Sequence, residues 1–146
     1  MICTFFWVTC LTVFILGLTQ GVGTAGDFDG SKSLLCTPIN IAECGPGADC
    51  RQTTAEAINL SQFLVIDFKE QLITPTRESG RTNVSRIKKM EHIDGKLILQ
   101  GMEDGRADEK DGLGWTASIS EETGKLVLTA SGDQVAFVIF GACTPR

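Results

Sequence analysis

Cysteine is the residue type in this chain with the most direct chemistry, because six cysteines are many for 146 residues. Two of them lie in the apolar first 25 residues, and the other four are Cys36, Cys44, Cys50 and Cys143. An even set in an exported chain predicts disulfide bonds, and four cysteines allow three connectivities. The stretch between Cys44 and Cys50 consists of turn-forming residues. We therefore favour a Cys44–Cys50 bond, which leaves Cys36 to bond with Cys143.

Zinc binding and thiol redox chemistry are the two alternatives for these cysteines. Seven residues separate Cys36 from Cys44 and five separate Cys44 from Cys50, which matches no common zinc-ligand spacing. His92 is the only histidine, and the sequence contains no Cys-x-x-Cys pair that would indicate a redox site. We therefore expect no metal and no cofactor.

His92 and a run of acidic residues are the other candidates for chemistry. A lone histidine can act as a base, but no serine or cysteine has the local context of a nucleophile, and no carboxylate can be assigned to His92. We interpret His92 as a surface residue at a hairpin end. Five acidic residues crowd into the segment 101–114, but their spacing does not match a calcium-binding EF-hand loop. The acidic stretch 103–112 is interpreted as a solvated hairpin loop, and no catalytic residue is predicted.

A local basic stretch runs from Arg77 through Arg86, Lys88 and Lys89. It could contact an anionic partner or a membrane surface, although lysines on a polar strand more often protect an exposed sheet edge. The net charge of −5 at pH 7 argues against a nucleic-acid partner, which requires a concentrated basic face. Tyrosine is absent, so Trp115 and the phenylalanines are the aromatic residues left for recognition. The residues predicted for ligand or partner contact are Trp115, Arg86, Lys88 and Lys89.

The first 25 residues differ from the rest of the chain. No charged residue precedes Asp27, and the segment 5–18 is nearly continuous in apolar residues. A short apolar core followed by small residues is typical of a secretory signal peptide, here with cleavage after Ala25 or after Gly21. The usual lysine or arginine near the start is missing. The rival interpretation is an uncleaved anchor, which requires about 20 apolar residues with flanking anchors, and this run is shorter and unflanked.

These observations predict a signal peptide over 1–25 and a single disulfide-stapled domain over 26–146. The domain is expected in the periplasm or outside the cell, without a stable membrane anchor after cleavage.

Short strand-like segments separated by turns recur along the domain. Asp94 and Gly95 separate two such segments, and Asp-Gly is a strong hairpin signal because a type I′ turn needs two residues with positive φ. The segments 114–120 and 125–131 alternate apolar and polar residues, as half-buried strands do. The segment 135–140 is apolar on both faces, which predicts a strand that lies centrally in the sheet or is covered on both sides. Only 54–60 is a candidate for a helix, and a short one.

The fold class predicted from this pattern is all-β. We expect an antiparallel meander of about seven to nine short strands, as a closed or nearly closed small barrel, with a sandwich as the alternative. A bond between Cys36 and Cys143 suits a closed barrel, because closure places the first and last strands side by side.

Three parts of the domain resemble a group of small exported bacterial proteins. They are the segments 29–36, 124–133 and 137–144, and the likeness covers most of the domain. The shared motifs are a cysteine after the first strand, hairpin turns, and a cysteine after the last strand. The acidic segment 104–112 looks like an insertion relative to that pattern. The resemblance implies bacterial export and implies no particular activity.

We therefore interpret the chain as an exported, non-enzymatic β-barrel protein that binds a small or protein ligand. The first alternative is a protein–protein interaction module, such as an inhibitor or an envelope component. The second alternative is a small hydrolase whose site carries no recognisable motif.

Overall fold

The computed structural model describes residues 26–47, 49–105 and 111–146, so the predicted signal peptide over 1–25 lies outside the described residues. Within these ranges the chain forms antiparallel strands and one single-turn 3-10 helix, Arg77–Ser79. The strands are β1 Leu34–Cys44, β2 Arg51–Thr53, β3 Leu64–Asp67, β4 Leu72–Pro75, β5 Ser85–Ile93, β6 Lys96–Glu103, β7 Leu113–Ser120, β8 Lys125–Ser131 and β9 Ala136–Pro145. The all-β prediction is confirmed.

Eight of the strands close into an antiparallel barrel. Strand β1 and strands β3 to β9 pair in chain order, and β9 pairs back with β1 from Leu34↔Pro145 to Cys44↔Ala136. The remaining strand, β2, pairs with the second half of β1 and lies beside the barrel. Closure satisfies the backbone hydrogen bonds that an open sheet would leave at its two edges. The predicted closed barrel is confirmed.

Strand β1 is long because it pairs with two different strands, β3 and then β2, along the same edge. Its first residues, Leu34 to Cys36, pair with β3, and Ile41 to Glu43 pair with β2. Pro38 lies between these two sets, and the register with β9 shifts between Pro38 and Asn40. A proline and a bulge are typical of the point where a strand bends away from one neighbour.

The turn signals of the sequence correspond to real hairpins. Asp94 and Gly95 have φ values of 47° and 69°, which are the positive values that a type I′ turn requires. One local prediction is wrong: the helix candidate 54–60 forms successive turns, because Asn59 adopts a φ of 58° that interrupts helical backbone. Of the two alternatives for the segment 135–140, the central position is the one observed, since β9 pairs with both β1 and β8. The segment is not covered on both sides, because a single-walled barrel leaves its outer residues in solvent and Phe140 is 50% exposed.

Two disulfides join the four cysteines in the pairing that we favoured. Cys36 bonds with Cys143 across the β1–β9 seam, where the two residues are register partners, and Cys44 bonds with Cys50 between the end of β1 and the start of β2. Both members of the first pair lie within strands, β1 and β9, rather than after them as we predicted. Two disulfides suit an oxidising, extracellular-type environment.

One end of the barrel, which we term the closed end, is filled. Its interior side chains are completely buried and include Leu34, Leu97 and Ile119. Residues 26–33 cross this end before β1, and Phe28 packs against the core. Gly124 lies directly under Phe28, because a Cβ atom at this glycine would overlap the Phe28 ring. The preceding segment of the chain therefore plugs the barrel here.

Candidate functional site

The opposite end, which we term the open end, surrounds a cavity. Its volume is about 540 Å³. The deeper walls are formed by apolar side chains from five strands, namely Leu64, Ile73, Trp115, Leu128, Ala130 and Ile139. Cavities of roughly 300–1,000 Å³ with mostly apolar walls are typical of small-molecule sites. The cavity is thus large enough for a small ligand.

Trp115 is the most distinctive side chain of the cavity wall. It is 8% exposed, and its indole Nε1 donates a hydrogen bond of 2.7 Å to the Ser85 Oγ on β5. Ser85 in turn donates to the Met102 carbonyl oxygen at 3.3 Å. The polar atom of the indole is therefore satisfied by the barrel wall and does not require a ligand.

The mouth of the cavity is polar. Asn59 from the β2–β3 connection and Arg81 and Asn83 from the β4–β5 connection line it. The Arg81 guanidinium donates a hydrogen bond to the Asn59 side-chain oxygen, which ties the two connections together.

Carboxylates complete this polar rim. Glu103, at the end of β6, lines the cavity together with Asp104 and Asp111 from the following segment. The Asn83 side-chain amide donates to the Glu103 carboxylate at 3.4 Å. Part of the predicted acidic loop, residues 106–110, lies outside the described residues. Apolar depth with a polar mouth is the arrangement that orients an amphipathic ligand.

The basic residues predicted for partner contact lie elsewhere, so the structure does not bring Arg86, Lys88 and Lys89 together with Trp115. All three are exposed on β5, outside the barrel. Strand β5 pairs with β4 only at Arg86 and Ser85, and from Lys89 onwards its register partners are on β6. Within the described residues this half of β5 is an exposed edge, the situation in which strand lysines discourage unwanted pairing. Lys89 forms an exposed ion pair with Glu91 at 2.8 Å.

His92 lies near the closed end, away from the cavity. Its Nδ1 is 2.5 Å from the Glu121 Oε1 in the β7–β8 turn, a carboxylate partner that sequence reasoning could not assign. The His92 side chain is 51% exposed. Nearby Asp29 has a pKa held below its ordinary value, mainly by a hydrogen bond from the Ser31 hydroxyl and then by the Ser31 backbone N–H, with the charge of His92 as a smaller cause. Among these interactions, the charge of His92 acting on Asp29 is the one that runs between the barrel end and residues 26–33.

The described residues contain neither a metal-binding cluster nor a membrane-spanning helix. Over residues 26–47, 49–105 and 111–146, no group of three or more histidine, cysteine, aspartate or glutamate side chains is placed to hold a metal ion. In the same part of the chain, no helix has the length and apolar character required to cross a membrane.

Sequence reasoning missed the residues that line the cavity mouth. Asn59, Arg81 and Asn83 come from two connections that are distant in sequence and meet only when the barrel closes. One usable signal existed for the interior. Ala130 can be placed beside Trp115 by counting from the short turn between β7 and β8, whereas the longer connection 104–112 between β6 and β7 leaves the partner of Trp115 on β6 unassigned.

Comparisons with family models, with curated proteins and with solved structures gave no match to this chain.

Proposed function

We propose that this protein is an exported, non-enzymatic barrel that holds a small, largely apolar ligand in the cavity at its open end. The observation that carries the proposal is the cavity itself, of about 540 Å³, inside a closed eight-stranded barrel. Barrels of this strand number have an interior that is either filled by side chains or wide enough for one small ligand. Here the closed end is of the first kind and the open end of the second.

The cavity supports a binding role because an unfilled interior lowers the stability of the fold. Protein interiors are close-packed, and unfilled volume forfeits contacts between apolar side chains. A larger residue in place of Ala130 would fill part of this volume without lengthening the chain. A hollow lined by leucine, isoleucine and tryptophan is therefore best explained by the ligand that occupies it.

The polar mouth indicates how a ligand would be oriented. The apolar part would lie against Leu128 and Ile139, and a polar part would remain near Arg81 and Glu103, where water and side chains can satisfy it. This arrangement requires no catalytic group, in agreement with a carrier or sensor rather than an enzyme.

The test is to fill the cavity from one wall. We would titrate the protein with the neutral fluorophore N-phenyl-1-naphthylamine, whose emission rises in apolar surroundings. The change Ala130→Phe places a ring inside the cavity and is expected to weaken probe binding at least about tenfold, a loss of ~1.4 kcal/mol. The matched control is Thr129→Phe, which adds the same ring to the neighbouring residue on the outer face of β8. Equal affinities in the two variants would mean that the probe binds elsewhere, and the proposal would fail.

Export is the second part of the proposal, supported by the two disulfides and by the apolar segment 5–18. Cleavage after Ala25 would leave Gly26 as the first residue, which is also the first residue of the segment 26–33 that plugs the closed end. Intact-mass measurement of the protein recovered outside the cytoplasm should give a chain starting at Gly26, lighter by the hydrogens lost to two disulfides. A chain starting at Val22 would support the alternative cut, and an uncleaved chain would contradict the signal peptide.

An interaction module is the second candidate, and one observation favours it. Ile39, Val127 and Phe140 are exposed on adjacent strands outside the barrel, with Phe140 the register partner of Val127. Contiguous exposed apolar side chains are typical of protein-binding surfaces. A partner protein retained by the wild type and by Ile93→Ser, but lost from Phe140→Ser, would support this candidate. Ile93 is a comparably exposed apolar residue on β5, which pairs with none of the strands that carry the patch, so retention by both variants would count against it.

A further inference from the structure

Trp115 has the two smallest inward neighbours in its part of the barrel wall. On β6 its register partner is Gly101, and on β8 it is Ala130. A Cβ atom at Gly101 would overlap the indole ring, so the ring lies directly over this glycine. Because the indole continues to Ser85 on β5, it spans from its own strand across β6. The small side chains at Gly101 and Ala130 thus leave the space in which the Trp115 indole lies along the barrel wall.

The ring also marks where the cavity stops on this side. One inward position nearer the closed end, Ala117 has Leu99 as its partner on β6 and Leu128 on β8. Leu99 is completely buried and does not line the cavity, whereas Leu128 does. The cavity therefore extends deeper beside β8 than beside β6, where Trp115 covers the interior.

We propose that Trp115 is a specificity-determining residue that limits the length of the apolar chain the cavity accepts. This inference rests on the proposed function, since it concerns the depth of the same cavity. The Ser85 hydroxyl holds the indole in place, and Gly101 leaves it the space to lie flat against the wall. A ligand chain that reaches the indole can go no deeper on the β6 side.

The test is a ladder of straight-chain 1-alkanols, which differ only in length, competing with N-phenyl-1-naphthylamine for the protein produced from the full-length chain. While an added methylene enters apolar surroundings, affinity should rise about fourfold per methylene. In the wild type the rise should stop at a limiting length. In Trp115→Leu the limit should move to a longer alcohol, and the first alcohol beyond the wild-type limit should bind about fourfold more tightly than to the wild type.

Two further variants separate a limit on length from a loss of stability. Leu126→Ala removes a buried side chain that does not line the cavity, so it should lower stability and leave the limiting length unchanged. Ser85→Ala removes the hydrogen bond that holds the indole, so the affinity difference between alcohols just below and just above the limiting length should become smaller. This variant tests the role of Trp115 if Trp115→Leu does not fold.

The outcomes are distinct for the two proposals. Failure of every alcohol to displace the probe from the wild type would overturn the proposed function. Displacement with no limiting length in the wild type, or with the same limiting length in the wild type, Trp115→Leu and Ser85→Ala, would overturn the assignment to Trp115 and leave the binding function standing.

Discussion

At the closed end of the barrel Leu34, Leu97 and Ile119 are completely buried, whereas at the open end the same wall surrounds a cavity of about 540 Å³. Both ends are built by the same alternation of inward and outward residues along the strands. What differs is the chain that crosses each end. Residues 26–33 cover the closed end with Phe28, while the open end is surrounded by polar connections that line its rim. Whether the interior at each end is filled by side chains therefore depends on the connecting segments as much as on the strands.

Removing each disulfide separately should give the largest difference in the free energy of unfolding between a change at the closed end and a change at the open end. The Cys36–Cys143 bond closes a sequence separation of 107 residues, and Cys44–Cys50, near the open end, closes 6. Loop entropy alone predicts losses of about 5 and about 2 kcal/mol in the free energy of unfolding. Urea unfolding of the double variants Cys36→Ala/Cys143→Ala and Cys44→Ala/Cys50→Ala measures both. If the short bond proved the more important, the seam between β1 and β9 would not depend on its cross-link.

A matched pair of leucines compares packing in the two regions directly. Leu99 and Leu128 flank Ala117 on opposite neighbouring strands, but only Leu128 lines the cavity. We expect Leu99→Ala to lower the free energy of unfolding by about 3–5 kcal/mol, as for fully buried leucines, and Leu128→Ala to cost no more than about 2. Guanidinium unfolding curves would show the difference. Equal losses would mean that the cavity wall is packed as tightly as the filled half.

Two glycines with the same φ test the plug at the closed end. Gly124 and Gly80 both have φ of 66°, but a Cβ atom at Gly124 would overlap the Phe28 ring, and at Gly80 it would have no neighbour within 4 Å. Gly80→Ala should cost only the backbone strain of about 1–2 kcal/mol. Gly124→Ala should cost at least ~1 kcal/mol more, since overpacking against Phe28 and against the Cys143 carbonyl oxygen adds to the strain. Thermal unfolding of the two variants measures this difference, and its absence would show that both Phe28 and the Cys143 backbone can move aside freely.

The fold could be predicted from the sequence to the extent that its signals are local. The turn at Asp94 and Gly95 and the alternation in β7 and β8 depend on neighbouring residues, and they were predicted to within one or two residues. Strand β1 was harder to recognise because Pro38 and the bulge beside it interrupt its alternation. Strand β4 has only four residues, which is too short for a period to be visible.

Apart from Trp115 and its neighbour Ala130, the candidate site could not be predicted, because it depends on contacts between distant segments. Trp115 was selected as an aromatic anchor, but nothing local to it reveals Ser85, which lies 30 residues earlier and holds the ring. Arg86, Lys88 and Lys89 were selected for their charge, and charge alone does not say on which side of a barrel wall a residue lies. The side on which each residue lies follows from register, and register follows from the closed topology.

The smallest expected effect concerns the acid stability of the closed end. Hydrogen bonds from the Ser31 hydroxyl and backbone N–H hold the pKa of Asp29 below its ordinary value. A group whose pKa is lower in the folded than in the unfolded protein stabilises the fold above its unfolded pKa, about 3.9 for aspartate, and loses this contribution as the pH falls through its folded pKa. Asp29→Asn should therefore flatten the fall in stability below about pH 4, where Ser31→Ala, which keeps the backbone donor, should flatten it only in part. Urea midpoints measured across this pH range would detect the change. Because Asp29 is partly exposed to solvent, the change should be small, and an effect as large as that of Gly124→Ala would show that the plug depends on this hydrogen bond as much as on close packing around Gly124.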